Sequence, residues 1–122
     1  MNNDKIIITS ALPYANGEIH LGHIVSTYLP ADILSRFLRL NNKVVIFTCA
    51  TDDFGTPILL QSEKQNITPK EYVKYWKNRD QNDFKDLGIN FDHFQNTSSN
   101  RNIELTQHFF KEIYNNDLIY KN

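Results

Sequence analysis

The sequence predicts an α/β protein built on a parallel sheet. Apolar runs alternate with stretches of helical periodicity, in the order strand, helix, strand, helix, helix, strand, helix. Lys5 to Thr9 and Val44 to Cys49 have continuous apolar centres, which suits strands covered on both faces. Each runs into a loop and then a helix.

After the first strand and the Ser10–His23 loop, Val25, Leu29, Ile33, Phe37 and Leu40 recur at helical spacing, giving an amphipathic helix of roughly five turns. Asp32 and Arg36 form an i,i+4 pair on its polar side. Pro30 lies inside the pattern and predicts a kink or a local bulge, because it lacks an N–H and clashes one turn back. Asn41-Asn42 ends the helix, and Val-Val-Ile-Phe-Thr-Cys, Val44 to Cys49, forms the second strand.

Thr56-Pro57 places a capping hydroxyl before a proline at the first helical position of the next helix. Thr68-Pro69-Lys70-Glu71 is a capping box, with Ile67 and Tyr72 placed as a hydrophobic staple. That helix is expected to run to Leu87, with Gly88 as its left-handed stop. Ile89 to Phe94 reads as a strand, and Ser98-Ser99-Asn100 starts a final helix with Ile103, Phe109, Phe110 and Ile113 on its core face. Trp76 also reads as core, and Lys70, Lys74 and Lys77 as a solvated face. Leu118-Ile119-Tyr120 begins a last strand or a connection. Such a set is half of a doubly wound sheet, which needs a second half to cover its central strand.

Bulk properties narrow the function. A chain of 122 residues is one domain, large enough to bury a core without staples. A net charge of −1 announces no nucleic-acid field. No apolar run spans a bilayer, and Met1 to Lys5 lacks the basic start of a signal peptide. The single cysteine, Cys49, excludes an internal disulfide and argues against a thiolate zinc cluster, so a cytoplasmic location is expected.

In open α/β sheets, ligands bind at the carboxyl ends of the strands. Two loops stand there: Ser10 to His23, and Thr51-Asp52-Asp53-Phe54-Gly55-Thr56. His20 and His23, three apart, share a helix face and can both donate to phosphate oxygens, while Gly22 lets a flat base or ribose approach the backbone. The bland alternative is a pair of capping or core histidines; their spacing at a strand-to-helix junction weakens it, and a metal role for the pair has little support. Asp52 could pair with an ammonium group or Mg²⁺, against the alternative of a helix cap that Thr56 already supplies. Asp53 reads as solvent-facing or structural. Tyr14 can wall an apolar pocket, and the backbone of Ala11 and Leu12 supplies polar contacts there. Asn16-Gly17 is a turn.

His20-Leu-Gly-His23, Ile8-Thr-Ser-Ala-Leu-Pro-Tyr14, Tyr28-Leu-Pro-Ala-Asp32, Thr51-Asp52 with Gly55-Thr-Pro57, and Ile67-Thr-Pro69 stand in order along the chain. Together they resemble the class I aminoacyl-tRNA synthetases, in particular their methionyl branch. The resemblance implies the first half of a Rossmann-type catalytic domain, acting with ATP and Mg²⁺ to form methionyl-adenylate and pass it to tRNA(Met). It makes His20 and His23 the catalytic residues. With Gly22 these histidines bind ATP, and Ala11, Leu12, Tyr14 and Asp52 bind methionine, Asp52 at the ammonium. Leu21 replaces the commoner Ile of the signature, and Phe54 stands where the family often has His or Tyr. The lysine-rich loop that steadies the triphosphate, the zinc-binding insertion, the second catalytic half and the anticodon-binding domain are not in this sequence. The chain is therefore expected to come from a truncated gene, a split gene or an excised piece of a longer enzyme. In the split case a separately encoded C-terminal half is its partner, and the chain alone is expected to be inactive. Competing readings are another class I adenylate-forming nucleotidyltransferase, or a non-catalytic binding module derived from one.

Overall fold

β1 (Lys5–Thr9), β2 (Val44–Thr51) and β3 (His93–Asn96) form a three-stranded parallel sheet in the order β1-β2-β3. The computed structural model describes residues 5–120. The absence of a signal peptide was read partly from residues 1–4, which lie outside the described residues. β1 pairs with β2 from Lys5↔Val44 to Thr9↔Thr48, and β2 pairs with β3 from Thr48↔His93 to Thr51↔Asn96. Sequence order matches spatial order, so each strand returns beside its predecessor through a helical crossover.

The first crossover is one helical path in three parts: α1 (Leu21–His23), a π turn (Ile24–Tyr28) and α2 (Leu29–Leu40). The bulge expected from Pro30 is this π turn. An unbroken α-helix would press the Pro30 ring onto the Ser26 carbonyl. The Leu29 N–H instead reaches back to the Ile24 carbonyl, and Ser26 Oγ bonds the Gly22 carbonyl at 2.7 Å.

Helices α3 (Thr56–Lys64) and α4 (Pro69–Asp86) form the second crossover. The capping box of α4 is present as expected: Thr68 accepts from the Glu71 N–H while Glu71 accepts from the Thr68 N–H. The start of α3 differs from expectation. Gly55, at φ +134°, occupies the cap position, and Thr56 and Pro57 open the helix without a side-chain cap. Only glycine tolerates that backbone angle, so it displaces threonine from the capping role.

The expected strand over Ile89–Phe94 is displaced to His93–Asn96. Gly88, at φ +71°, ends α4 as expected, and its motif uses Ile89 as well. The Gly88 N–H meets the Lys85 carbonyl, and the Ile89 N–H meets the Phe84 carbonyl. Ile89 then packs with Phe84 in the core, and the Asn90 N–H bonds Asp32, so neither residue is available for strand pairing.

Core residues Ile8, Ile24, Tyr28, Val45, Phe47, Cys49, Phe84 and Ile89 form one cluster; Ala15, Ile58, Tyr72 and Val73, with Trp76 packed against them, form another. Asp32 corrects the expected polar side of α2. Its pair with Arg36 is real, at 2.6 Å, but Asp32 is 4% exposed on the inward face beside Ser35. Val25, Leu29, Ile33, Phe37 and Leu40 are exposed instead.

α5 (Asn100–Asn115) starts at Ser99 as expected, yet buries none of its residues. Phe109, Phe110 and Ile113 are thus an exposed face, while Ile103, 38% exposed, borders a cavity with Ile58 of α3 and Val73 of α4 without being buried, so the core assignment fails for all four. Leu118 bonds back to Ile113 around Asp117 at φ +55°, a helix stop rather than a strand.

Candidate functional site

The loops after β1 and β2 meet, as neighbouring parallel strands require. The Asp52 N–H donates to the Pro13 carbonyl at 2.8 Å, and the Ala15 N–H donates to the Asp52 carbonyl at 2.9 Å. These bonds form a parallel bridge between Tyr14 and Asp52. The side chains of Asp52 and Asp53 have different duties. Asp53 is buried and accepts from Thr51 Oγ1 at 2.7 Å, Asn96 Nδ2 at 3.0 Å and the Ser98 N–H at 3.3 Å, tying β2 to the start of α5. Of the two readings given to Asp53, solvent-facing or structural, burial rules out the first and these bonds fit the second. Asp52 is half-buried, and its one side-chain bond is from the Phe54 N–H at 3.4 Å. It does not cap α3.

His20 and His23 close the other side of the site. His20 caps the helical path: its Nδ1 accepts from the Gly22 N–H at 3.1 Å, and His23 Nδ1 faces the His20 N–H at 3.5 Å. The rings stack with centroids 3.7 Å apart. With both Nδ1 atoms accepting, each neutral imidazole carries its proton on Nε2. Capping therefore leaves the Nε2–H groups as donors. Gly22 is needed for this arrangement, since a Cβ there would stand 2.9 Å from His20 Cε1.

Ala11, Leu12, Tyr14 and His23 line a cleft of about 380 Å³, together with Pro13, Glu18, Thr27 and Tyr28. His20 stacks on His23, Asp52 is bridged to Tyr14, and Gly22 lies under His20; none of these three lines the cleft itself. α4 holds the loop from outside: Tyr72 Oη donates to Asn16 Oδ1 at 3.0 Å, and Arg79 pairs with Glu18 at 2.6 Å. Burial pushes the nearby Cys49 thiol up to about 11, so it stays protonated at neutral pH.

Sequence reasoning missed Thr27 and Tyr28 as cleft residues. The available signal was Pro30: in the π turn it induces, the longer turn brings residues four and five beyond His23 toward the same side.

The chain matches the family described as tRNA synthetases class I (M) over residues 6–122. It is 47% identical to the methionine–tRNA ligase of Methanobrevibacter smithii over 117 residues, covering 96% of this chain and 18% of that protein. It is 41% identical to the methionine–tRNA ligase of Rubrobacter xylanophilus over 111 residues, covering 91% of this chain and 19% of that protein. For the ligase of Francisella tularensis the identity is 43% over 117 residues, with 96% and 17% covered. The chain thus spans about a fifth of the length of these relatives. Its fold superposes on the LeuRS–tRNA–LeuAMS ternary complex of Agrobacterium radiobacter K84 with a TM-score of 0.87 at 22% identity, over 100% of this chain and 16% of that one.

Proposed function

From the premise that this chain belongs to the class I tRNA synthetase (M) family, we propose that it is the part of a methionine–tRNA ligase that binds ATP and methionine and forms methionyl-adenylate. The observation that supports this best is the pair of capped, stacked histidines beside a partly apolar cleft. Their Nε2–H groups are fixed in direction before any phosphate arrives. Donors placed in advance stabilise charge as it develops, without reorganising during the reaction.

In the proposed reaction, methionine sits in the cleft with its side chain among Leu12, Tyr14 and Tyr28, and its ammonium extends beyond the cleft lining to Asp52, the bridge partner of Tyr14. Its carboxylate attacks the α-phosphorus of ATP, and pyrophosphate leaves. His20 and His23 donate through Nε2 to the phosphate oxygens on which charge accumulates. Mg²⁺ would be held by the nucleotide's own phosphates and would offset their charge, since among the described residues no group of three or more His, Cys, Asp or Glu side chains is placed to hold a metal ion. Transfer of methionine to tRNA(Met), and firm hold of the leaving pyrophosphate, need the further length that the relatives have. The location is proposed as cytoplasmic; among the described residues no helix is long and apolar enough to cross a membrane.

Methionine-dependent ATP–pyrophosphate exchange tests this reading, using the chain supplied with the remaining catalytic half. Exchange that depends on methionine and is lost on His23→Ala is expected. Exchange driven by a different amino acid would assign another adenylating enzyme.

A further inference from the structure

Behind the cleft wall, α4 carries an ionisable group that this reaction leaves unused. Asp80 is 0% exposed, and neither carboxylate oxygen has a hydrogen-bond partner among the described residues. Ser10 Oγ and Trp76 Nε1 are likewise buried without partners. Asp80 stands one turn after Trp76 and one turn before Phe84 on the inward face of α4. Phe84 meets Tyr28 edge-on with ring centroids 4.7 Å apart, and Tyr28 lines the cleft.

The charged groups around Asp80 do not neutralise it. Burial is the main cause that raises the pKa of Tyr28 in the π turn and of Cys49 in β2, and the charge of Asp80 adds to both in the same direction. On its own helix Asp83 opposes ionisation and Arg79 favours it, but Arg79 is engaged by Glu18, Tyr75 and the face of Trp76. Loss of water is the largest influence and pushes Asp80 up to about 7.

We propose that Asp80 is a positioning residue for the amino-acid cleft: uncharged, it lets α4 seat Phe84 against Tyr28, and once ionised it loosens Tyr28 and the back wall of the cleft. This rests on reading the cleft as the amino-acid site. A buried carboxylate without donors must either take a proton or gain water through local opening. Tyr28 lies in the π turn, where the helical ladder is already interrupted, so opening toward that side disturbs the least regular hydrogen bonding.

Trp76 is the chain's one tryptophan and sits a turn from Asp80, so its fluorescence reads the site directly. Wild-type emission should show a pH transition centred near about 7. Asp80→Asn and Asp80→Leu should abolish it; the two replacements, one polar and one apolar, cover the failure of either to fold. Tyr28→Phe should move the midpoint upward, because the carboxylate loses a polar neighbour. Saturating methionine, its binding followed by equilibrium dialysis, should also move it upward, since a ligand that prefers the closed wall favours the uncharged acid. Affinity for methionine should then fall about threefold between about pH 6 and pH 8.5 relative to Asp80→Asn, a comparison that cancels the ligand's own titration. A wild type without a transition overturns the proposal. So does a transition that survives in Asp80→Asn, or one that Tyr28→Phe and bound methionine both leave in place. Methionine that binds at no pH would strike the functional reading instead, and the Tyr28→Phe arm would still decide whether Asp80 governs Tyr28.

Discussion

The Tyr14 hydroxyl lies 2.6 Å from the point where a Cβ on Gly55 would stand, and Gly55 holds φ +134°. Two loops from different strands thus share one contact that any side chain at position 55 would break. Gly55→Ala should cost about 1–3 kcal/mol from the backbone alone, and should also displace Tyr14 from the cleft. Adding Tyr14→Phe removes the clashing hydroxyl but not the backbone strain. The double variant should therefore regain folding order around residue 14 but only part of the stability, as read by urea unfolding and methionine dialysis.

His20 caps the helix and, in the proposed reaction, also donates to phosphate, and substitutions can separate the two. His20→Ala should lose a cap worth about 1 kcal/mol as well as a phosphate donor. His20→Asn can still cap the Gly22 N–H through its side-chain oxygen, so thermal stability should hold. In a complete enzyme both variants, and His23→Ala, should slow adenylate formation by about 2–4 kcal/mol with little change in methionine affinity. Single-turnover adenylation at an unchanged rate would refute the role.

The neighbouring carboxylates Asp52 and Asp53 should respond oppositely. Asp52→Ala removes one weak backbone contact, so it should leave stability within about 0.5 kcal/mol while clearly weakening methionine. Asp53→Ala strands Asn96 and Ser98 and should cost about 3 kcal/mol, loosening the start of α5. Hydrogen exchange at the first turn of α5 distinguishes them. If Asp52→Ala instead spares methionine and abolishes nucleotide binding, Asp52 belongs to the nucleotide.

The first two strands, the starts of α4 and α5 and the meeting of the two loops were legible because local chemistry carries them: apolar β-branched runs, Thr68 with Glu71, and the Ser99 cap. What the sequence hid was long-range satisfaction of polar groups. The helical path through the π turn and α2 offers two adjacent stripes, and the more apolar one, through Val25, Ile33 and Phe37, is exposed. The buried stripe contains Asp32 and Ser35 because Asp32 caps the Asn90 N–H, 58 residues away. No local pattern reports such a partner. The offset of β3 has the same origin, since Ile89 is committed to closing α4. At the site, the motif marks Ala11, Leu12, Tyr14 and His23, which the fold brings to one cleft, and His20, Gly22 and Asp52, which lie outside its lining. Tyr28 joins the cleft through the π turn that Pro30 induces.

Stability should depend on pH through Asp80. Its folded-state pKa, about 7, lies above the ordinary 3.8, so the folded protein holds this proton more tightly than the unfolded one. Stability is therefore unpenalised below about pH 4, falls as pH rises toward 7, and is flat above, with a total loss of about 4 kcal/mol. Asp80→Asn should unfold later than wild type in urea at about pH 8.5. Near pH 5 the order should reverse or vanish, since the amide is as poorly partnered as the neutral acid. Parallel wild-type and variant curves across that range would contradict the assignment.

The apolar stripe of α2 and the bare face of α5 bear on what the chain does alone. Ile33, Phe37, Phe109 and Phe110 are each more than half exposed, and Ile7 on β1 is 66% exposed. Parallel sheets are ordinarily covered on both faces, and apolar surface of this extent drives association. The isolated chain should self-associate and bind a hydrophobic dye, and Phe37→Glu with Phe109→Glu should suppress both. Catalytically it should be silent, because in the proposed reaction the histidines act on the α-phosphate from one side, and no basic side chain lines the described cleft except His23 to hold the departing pyrophosphate. Supplying the remaining catalytic half in trans should restore methionine-dependent pyrophosphate exchange. Phe37→Glu should then impair that rescue if the α2 stripe is the surface through which the halves join. Exchange by the purified chain alone would show that His20 and His23 suffice without a second grip on the nucleotide.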